Sequence, residues 1–279
     1  MANKIWLSTA NGNLSTAANW SGGTVPVSGD NVRFPAGSPD VTAGLTALNN
    51  STLSGALAAV IFEDGNTMNV GSSAAPMQFS CTRLQGFFNG GQQFFDLEAS
   101  NITPHLKAGS ASTGQFGIYI KGSNLLGLDI LGGYVAVAGL SFETATVATI
   151  RVVGSDANVF INEGVTLTTL EATGSAVDLR CAATTVTVYS PCTLTTWGTG
   201  TITTLNVYGG TANPNSTGTI TTLNAQAGTT DFLQSAAART VTNYNPSGSA
   251  VVKVDPAYIT ITTPSNPSIR YVASYALSS

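Results

Sequence analysis

Six stretches between Thr144 and Ala257 lie beneath one another, beginning at Thr144, Val165, Thr184, Thr201, Thr219 and Ala238 and each 17 to 21 residues long. Repetition at that length constrains the fold more than any single residue, because each copy buries its apolar side only by stacking on the next. The closest pair is TITTLNVYGG (201–210) over TITTLNAQAG (219–228), with TLTTLEATGS (166–175) as a looser copy. Ile150, Leu170, Val186, Leu205, Leu223 and Val241 are expected to share one column. The copies are built from Thr, Val, Ile, Gly, Asn and Ser, which suit strands and turns rather than helices. The expected fold is therefore all-β: a right-handed single-stranded parallel β-helix, or solenoid, with an irregular N-terminal cap and a strand-rich C-terminal tail. The competing arrangement is a β-sandwich whose Thr-rich strands resemble one another by composition alone.

A strand advances about 3.3 Å per residue, so an 18-residue coil has a contour of about 60 Å, enough for short strands around a narrow apolar centre. FGIYIKGS (116–123) and GYVAVAGLSF (133–142) are expected to extend the column upstream. Four regions result: residues 1–50 as an N-terminal cap and strand module, 51–115 as irregular β coils with an aromatic loop, 116–257 as the β-helix, and 258–279 as C-terminal strands or an arm. A chain of 279 residues exceeds the usual single core, but a solenoid grows along one axis and escapes that limit.

With 9% charged residues, 43% hydrophobic residues and 30 glycines, the exterior must be built largely from Thr, Ser, Asn and Gly. The net charge of −4 is spread thinly, and no run of Lys or Arg can follow a phosphate backbone, so direct nucleic-acid binding is not expected. MANKIWLSTANGN lacks the apolar core and small-residue cleavage pattern of a signal peptide, so synthesis in a cytoplasm is the expectation. Cys81, Cys181 and Cys192 form no close pair in sequence and read as small buried core residues. LLGLDILGGYVAVAGLSF (125–142) imitates a membrane span. Asp129 would cost about 2.5–3.5 kcal/mol near a bilayer centre, and four glycines weaken a helix there, so two buried strands joined at Gly132–Gly133 are expected instead.

The first fifty residues carry Trp6 and Trp20 and the phrase NWSGGTVPVSGDNVRF (19–34), in which turns at Gly22–Gly23 and Ser28–Asp30 precede an alternating strand at Val32–Phe34. A solenoid exposes its core at each end, and this aromatic unit suits the closing of one end. Trp6, Asn11, Gly12, Asn19, Trp20, Gly23, Pro26, Asp30, Val32 and Phe34 together resemble the leader of β-solenoid proteins found in bacterial passenger domains and phage structural proteins. Where that pattern carries an aromatic residue, this chain has Leu14. The resemblance implies a fold rather than an activity, and extends to β-helical head-decoration (cement) proteins of tailed bacteriophages.

AAVIFEDG (58–65) and QQFFDLEAS (92–100) read as strands. Phe87, Phe88, Phe94 and Phe95 either pack as irregular coils or form an exposed contact surface, and burial decides between them. Beyond Pro256, YITIT (258–262) and SIRYVASYAL (268–277) are strand-like segments that can cap the solenoid or join a neighbour's sheet edge.

Chemistry in a β-helix would require aligned acids: clustered carboxylates for calcium, or two carboxylates about 5–9.5 Å apart for glycoside hydrolysis. Asp156, Glu163, Glu171, Asp178, Asp231 and Asp255 do not align from coil to coil; only Asp156 and Asp178, whose offsets from their coil starts differ by one residue, could converge. His105 follows Pro104 in a segment read as irregular, with no Cys or carboxylate at metal-ligand spacing, and GSAS (109–112) is a nonspecific partner for it. Asn206 and Asn224 share a repeat position and are expected to form an amide ladder, as are Thr203 and Thr204 over Thr221 and Thr222. No catalytic, cofactor-binding or metal-ligating residue is assigned, and no cofactor.

The expectation is a non-enzymatic virion structural protein: a capsid decoration or cement protein on the outer capsid surface, made in the host cytoplasm. It would bind the major capsid protein as a homotrimer and have no contact with membrane. Three other readings stand beside it. A phage tail fibre or spike recognising a host glycan would use exposed aromatics, with Trp20, Trp197, Tyr208 and Tyr244 as candidates. A polysaccharide-processing β-helix enzyme would need an acidic cluster, and a bacterial surface adhesin would need a longer gene with a signal sequence.

Overall fold

The structure is a computed structural model describing residues 1–98, 101–109, 115–139, 144–174 and 176–264. It is a parallel β-solenoid with almost no helix, 20 of its described strands joined in one sheet and Gly12–Asn13 paired with Val41–Ala43 in a small second one. One ladder runs from end to end. It begins at Asn3–Ile5, Asn31–Phe34, Ala59–Asn66, Leu84–Phe88 and His105–Lys107, each strand parallel to the next. It continues through Leu125–Gly132, Ala145–Val152, Val165–Ala172 and Ala183–Val188, and ends in the long strands Ile202–Pro214, Ile220–Asp231 and Arg239–Lys253 with Ile259–Pro264 at the edge.

A second ladder forms another wall through Met77–Phe79, Gln93–Leu97, Ile118–Gly122, Tyr134–Val137, Asn158–Ile161, Ala176–Leu179 and Thr193–Thr196. It then joins the far halves of the long strands. The ladder thus takes in the segments expected as a cap and as irregular coils.

The threonine-rich repeat explains the local shape of each coil. In Ile202–Val207 the inward residues are Ile202, Leu205 and Val207, while Thr203 and Thr204 both lie outside. Two outward residues in succession break the period-2 alternation of a strand and turn the chain through a corner. The same corner recurs at Ala148–Thr149, Thr168–Thr169, Thr184–Thr185, Thr221–Thr222 and Thr242–Asn243. Small β-branched residues stack there, Thr149 on Thr169, Thr185, Thr204 and Thr222.

Inside the corner Leu128, Ile150, Leu170, Val186, Leu205, Leu223 and Tyr244 form one column. The last member corrects the expected alignment. Val241 pairs with Ile220, and Tyr244 occupies the position assigned to Val241. The apolar side chain of Val241 suggested the wrong match, whereas TVTNYN follows TITTLN residue for residue and buries its tyrosine ring.

The core changes character along the axis. At the N-terminal end it is aromatic: Trp6 meets Trp20 edge-on with centroids 4.9 Å apart, Trp20 meets Phe34 at 5.8 Å, and Phe34 stacks on Phe62 at 4.6 Å. Phe62 continues to Phe88 and Phe95 at 5.1 and 5.3 Å. Phe88 and Phe95 therefore belong to the core, and Phe94 is buried in a separate cluster outside the second wall. Gly86 stands directly over Phe62 because a side chain there would strike the Phe88 ring. Trp6 and Trp20 also pair antiparallel, closing the end of the column.

The apolar stretch 125–142 folds as the strands Leu125–Gly132 and Tyr134–Val137, joined at Gly133 with φ of 72°. Among the described residues no helix is long and apolar enough to cross a membrane. Residues 140–142, Ser110–Ser112 and the segment 268–277 lie outside the described residues.

Candidate functional site

The outer face of the first ladder carries the chain's densest polar chemistry. In register along one column stand Gln85, His105, Asp129, Arg151, Glu171, Thr187, Asn206, Asn224 and Asn245. The column points outward because its neighbours in sequence, such as Leu128 and Ile130 beside Asp129, fill the core.

At its charged end, Arg151 Nε and Nη2 donate to the two Asp129 carboxylate oxygens at 2.6 and 3.0 Å, a bidentate fork. His105 Nδ1 lies 3.0 Å from Asp129 Oδ2. Neighbouring arms cover Asp129, whose side chain is 10% exposed, whereas His105 and Arg151 are about half exposed at 48% and 47%. The hydrogen bonds and charge of Asp129, with Glu171 in the next coil, hold the Arg151 guanidinium above its ordinary pKa.

The amide end bears out the expected ladder and lengthens it. Asn224 Nδ2 donates to Asn206 Oδ1 at 2.7 Å, Asn245 Nδ2 to Asn224 Oδ1 at 2.9 Å, and Asn206 Nδ2 to Thr187 Oγ1 at 3.3 Å.

His105 is thus a strand residue, in His105–Lys107, rather than part of an irregular segment. Its carboxylate partner escaped the sequence because the two are joined only by coil stacking. The signal was available once the Ile150–Leu170 column was extended upstream to Leu128, which puts Asp129 outside. An Asp-held imidazole can accept or release a proton at Nε2. Among the described residues, no hydroxyl, thiol or second carboxylate is hydrogen-bonded to it.

The remaining candidates separate. Asp156 and Asp178 do not converge: Asp178 stands over Phe160 and bonds Arg180, while Asp156 lies against Gly132. Asp231 pairs with Lys253 at 3.1 Å, and Asp255 accepts from the Ala257 amide. Among the described residues no three His, Cys, Asp or Glu side chains gather as a metal site. Burial pushes the thiols of Cys81 and Cys181 up to about 12 and that of Cys192 up to about 11, so all three are protonated, free core residues.

Of the four aromatics considered for glycan contact, Trp20 and Tyr244 are buried; Trp197 and Tyr208 are exposed, at 43% and 48%. Tyr208 stacks on Tyr189 with centroids 5.6 Å apart, the two lying two residues beyond Asn206 and Thr187 in the chain.

Comparison with protein-family models, curated proteins and solved structures finds no match.

Proposed function

We propose that this chain is a non-enzymatic structural protein of a virus particle: a decoration, or cement, protein on the outer surface of a tailed-phage head. The observation that carries this reading is the asymmetry of the two ends. At the N-terminal end Trp6, Trp20 and Phe34 close the core and the Ser21 hydroxyl accepts from the Ile5 amide of the edge strand, whereas Ile259–Pro264 pairs only with Arg239–Lys253 among the described strands.

An unpaired parallel edge presents a row of N–H and C=O groups that a neighbouring chain can extend. The body behind it is charge-poor and held by amide, threonine and ion-pair ladders, which suits a stiff bracket between subunits. The N-terminal resemblance to phage solenoids supports the same assignment. In this reading copies associate as a symmetric trimer and dock on the major capsid protein across subunit junctions.

Immunogold microscopy of the source culture, with antibody against the purified chain, is the direct test. Label over icosahedral heads, with loss of head stability in particles lacking the chain, is the expected result. Label confined to tails or cell envelopes, or absence of its peptides from purified particles by mass spectrometry, would overturn the assignment.

A further inference from the structure

Outside the second wall, away from the His105 column and from Ile259–Pro264, the fold builds a cleft of about 240 Å³ lined by Phe116, Tyr134, Asn158, Phe160, Ala176 and Asp178. Its depth has a simple origin in the register. Tyr134, Asn158 and Ala176 form one outward column, and Phe160 and Asp178 stand beside each other in the next. Ala176 leaves a hollow where its neighbours carry larger side chains.

Phe116 leans over from the preceding segment, 5.8 Å from Phe160 and 5.9 Å from Tyr119 between ring centroids. Tyr134 is 41% exposed, so one wall offers an aromatic surface to solvent. On the opposite side Arg180 lies over the Phe160 ring, 4.7 Å from its centroid, and its Nη2 donates to Asp178 Oδ2 at 3.2 Å.

We infer that this cleft binds an uncharged sugar ring, one pyranose unit of a neutral glycan. The argument rests on charge as much as on shape. Asp178 and Arg180 neutralise one another, and Asn158 is uncharged, so an anionic or cationic ligand would have to displace a partner already in place. A polyhydroxylated neutral ring need not. Its hydroxyls can donate to the Asp178 carboxylate and accept from the Asn158 amide, while its apolar C–H face lies on Tyr134 and Phe116. The volume suits about one ring and lies just below the ~300–1,000 Å³ of drug-sized small-molecule clefts. This site does not depend on the capsid assignment: sugar binding and particle association are measured separately.

The test is saturation-transfer NMR of the full chain with methyl α-glucoside, methyl β-galactoside, maltohexaose and cellohexaose, with polygalacturonate as the anionic control. Transfer concentrated on the C–H protons of one ring face, in at least one neutral sugar, is expected. Tyr134→Ala and Asp178→Ala should each weaken that binding about tenfold or more, and Tyr134→Phe should retain it. Tyr134 is an outward residue, so unchanged far-UV circular dichroism and melting midpoint would certify each variant as folded. A hexamer binding more tightly than the methyl glycoside would identify the ring as part of a chain. The inference is overturned by absence of transfer to every neutral sugar, by undiminished binding in folded Tyr134→Ala, or by preference for polygalacturonate.

Discussion

Asn224 donates to Asn206 and accepts from Asn245, so a single truncation there breaks two hydrogen bonds on a half-buried surface. Asn224→Ala should destabilise the chain by about 1–3 kcal/mol, and Asn245→Ala, which breaks one, by about half as much. Urea titrations followed by circular dichroism would show this, and equal effects would deny the amides any cooperative role. Asp231 supplies a pH dependence. Burial alone would raise its pKa, but the Leu233 amide together with Lys253 and Gln234 outweighs that, and the net direction is downward. A carboxylate depressed in the folded state contributes stability above its unfolded pKa of about 4, lost as pH falls through the folded value. Stability should therefore decline below about pH 4, and Asp231→Asn should flatten that decline in urea midpoints measured from neutral to acid pH. The Asn206–Asn224 pair was legible as the same residue type at one offset in near-identical copies. The His105–Asp129–Arg151 cluster was not, because its members sit in dissimilar coils and share only a place in the stack.

The corner of each coil is the element on which the repeat depends. Ile202 and Leu205 face inward across two outward threonines, and every repeat from Ala145 to Lys253 follows that spacing. Where the inward residue was aliphatic the column could be read from sequence; where it became Tyr244 the reading slipped to Val241, because an aromatic hydroxyl suggests a surface position. The joint between Leu125–Gly132 and Tyr134–Val137 offers a sharper test. Gly133 has φ of 72°, and a Cβ there would collide with the Ala108 carbonyl oxygen. Gly133→Ala should cost more than the ~1 kcal/mol of an ordinary glycine replacement, since both conformation and space oppose it. A loss of melting temperature no larger than that of Gly248→Ala, whose Cβ would meet open space, would contradict the geometry.

At the scale of the whole molecule, one ladder from Asn3 to Pro264 means that Trp6 and Trp20 are sealed at one end while Trp197 stands on the outer surface. Acrylamide should accordingly quench one tryptophan population strongly and leave another protected. Trp197→Phe should remove the accessible fraction, and uniform quenching of all three would refute a closed N-terminal end.

Between Thr144 and Ala257 residue order alone is enough to specify the architecture, since aliphatic and threonine positions recur there at a nearly constant interval and only stacking can bury them. Asp129 and the glycines likewise mark 125–137 as a pair of strands. That the strands from Asn3–Ile5 to His105–Lys107 belong to the same ladder emerges only from three-dimensional packing. There large rings, Trp6, Trp20, Phe34, Phe62, Phe88 and Phe95, share the core with aliphatic side chains such as Val32, Val60 and Leu84, and the ring contacts span coils of unequal length and leave no periodic trace. The outward columns were decided at the same level. A strand's alternation says which residues face out, but which of them meet depends on the length of every intervening turn.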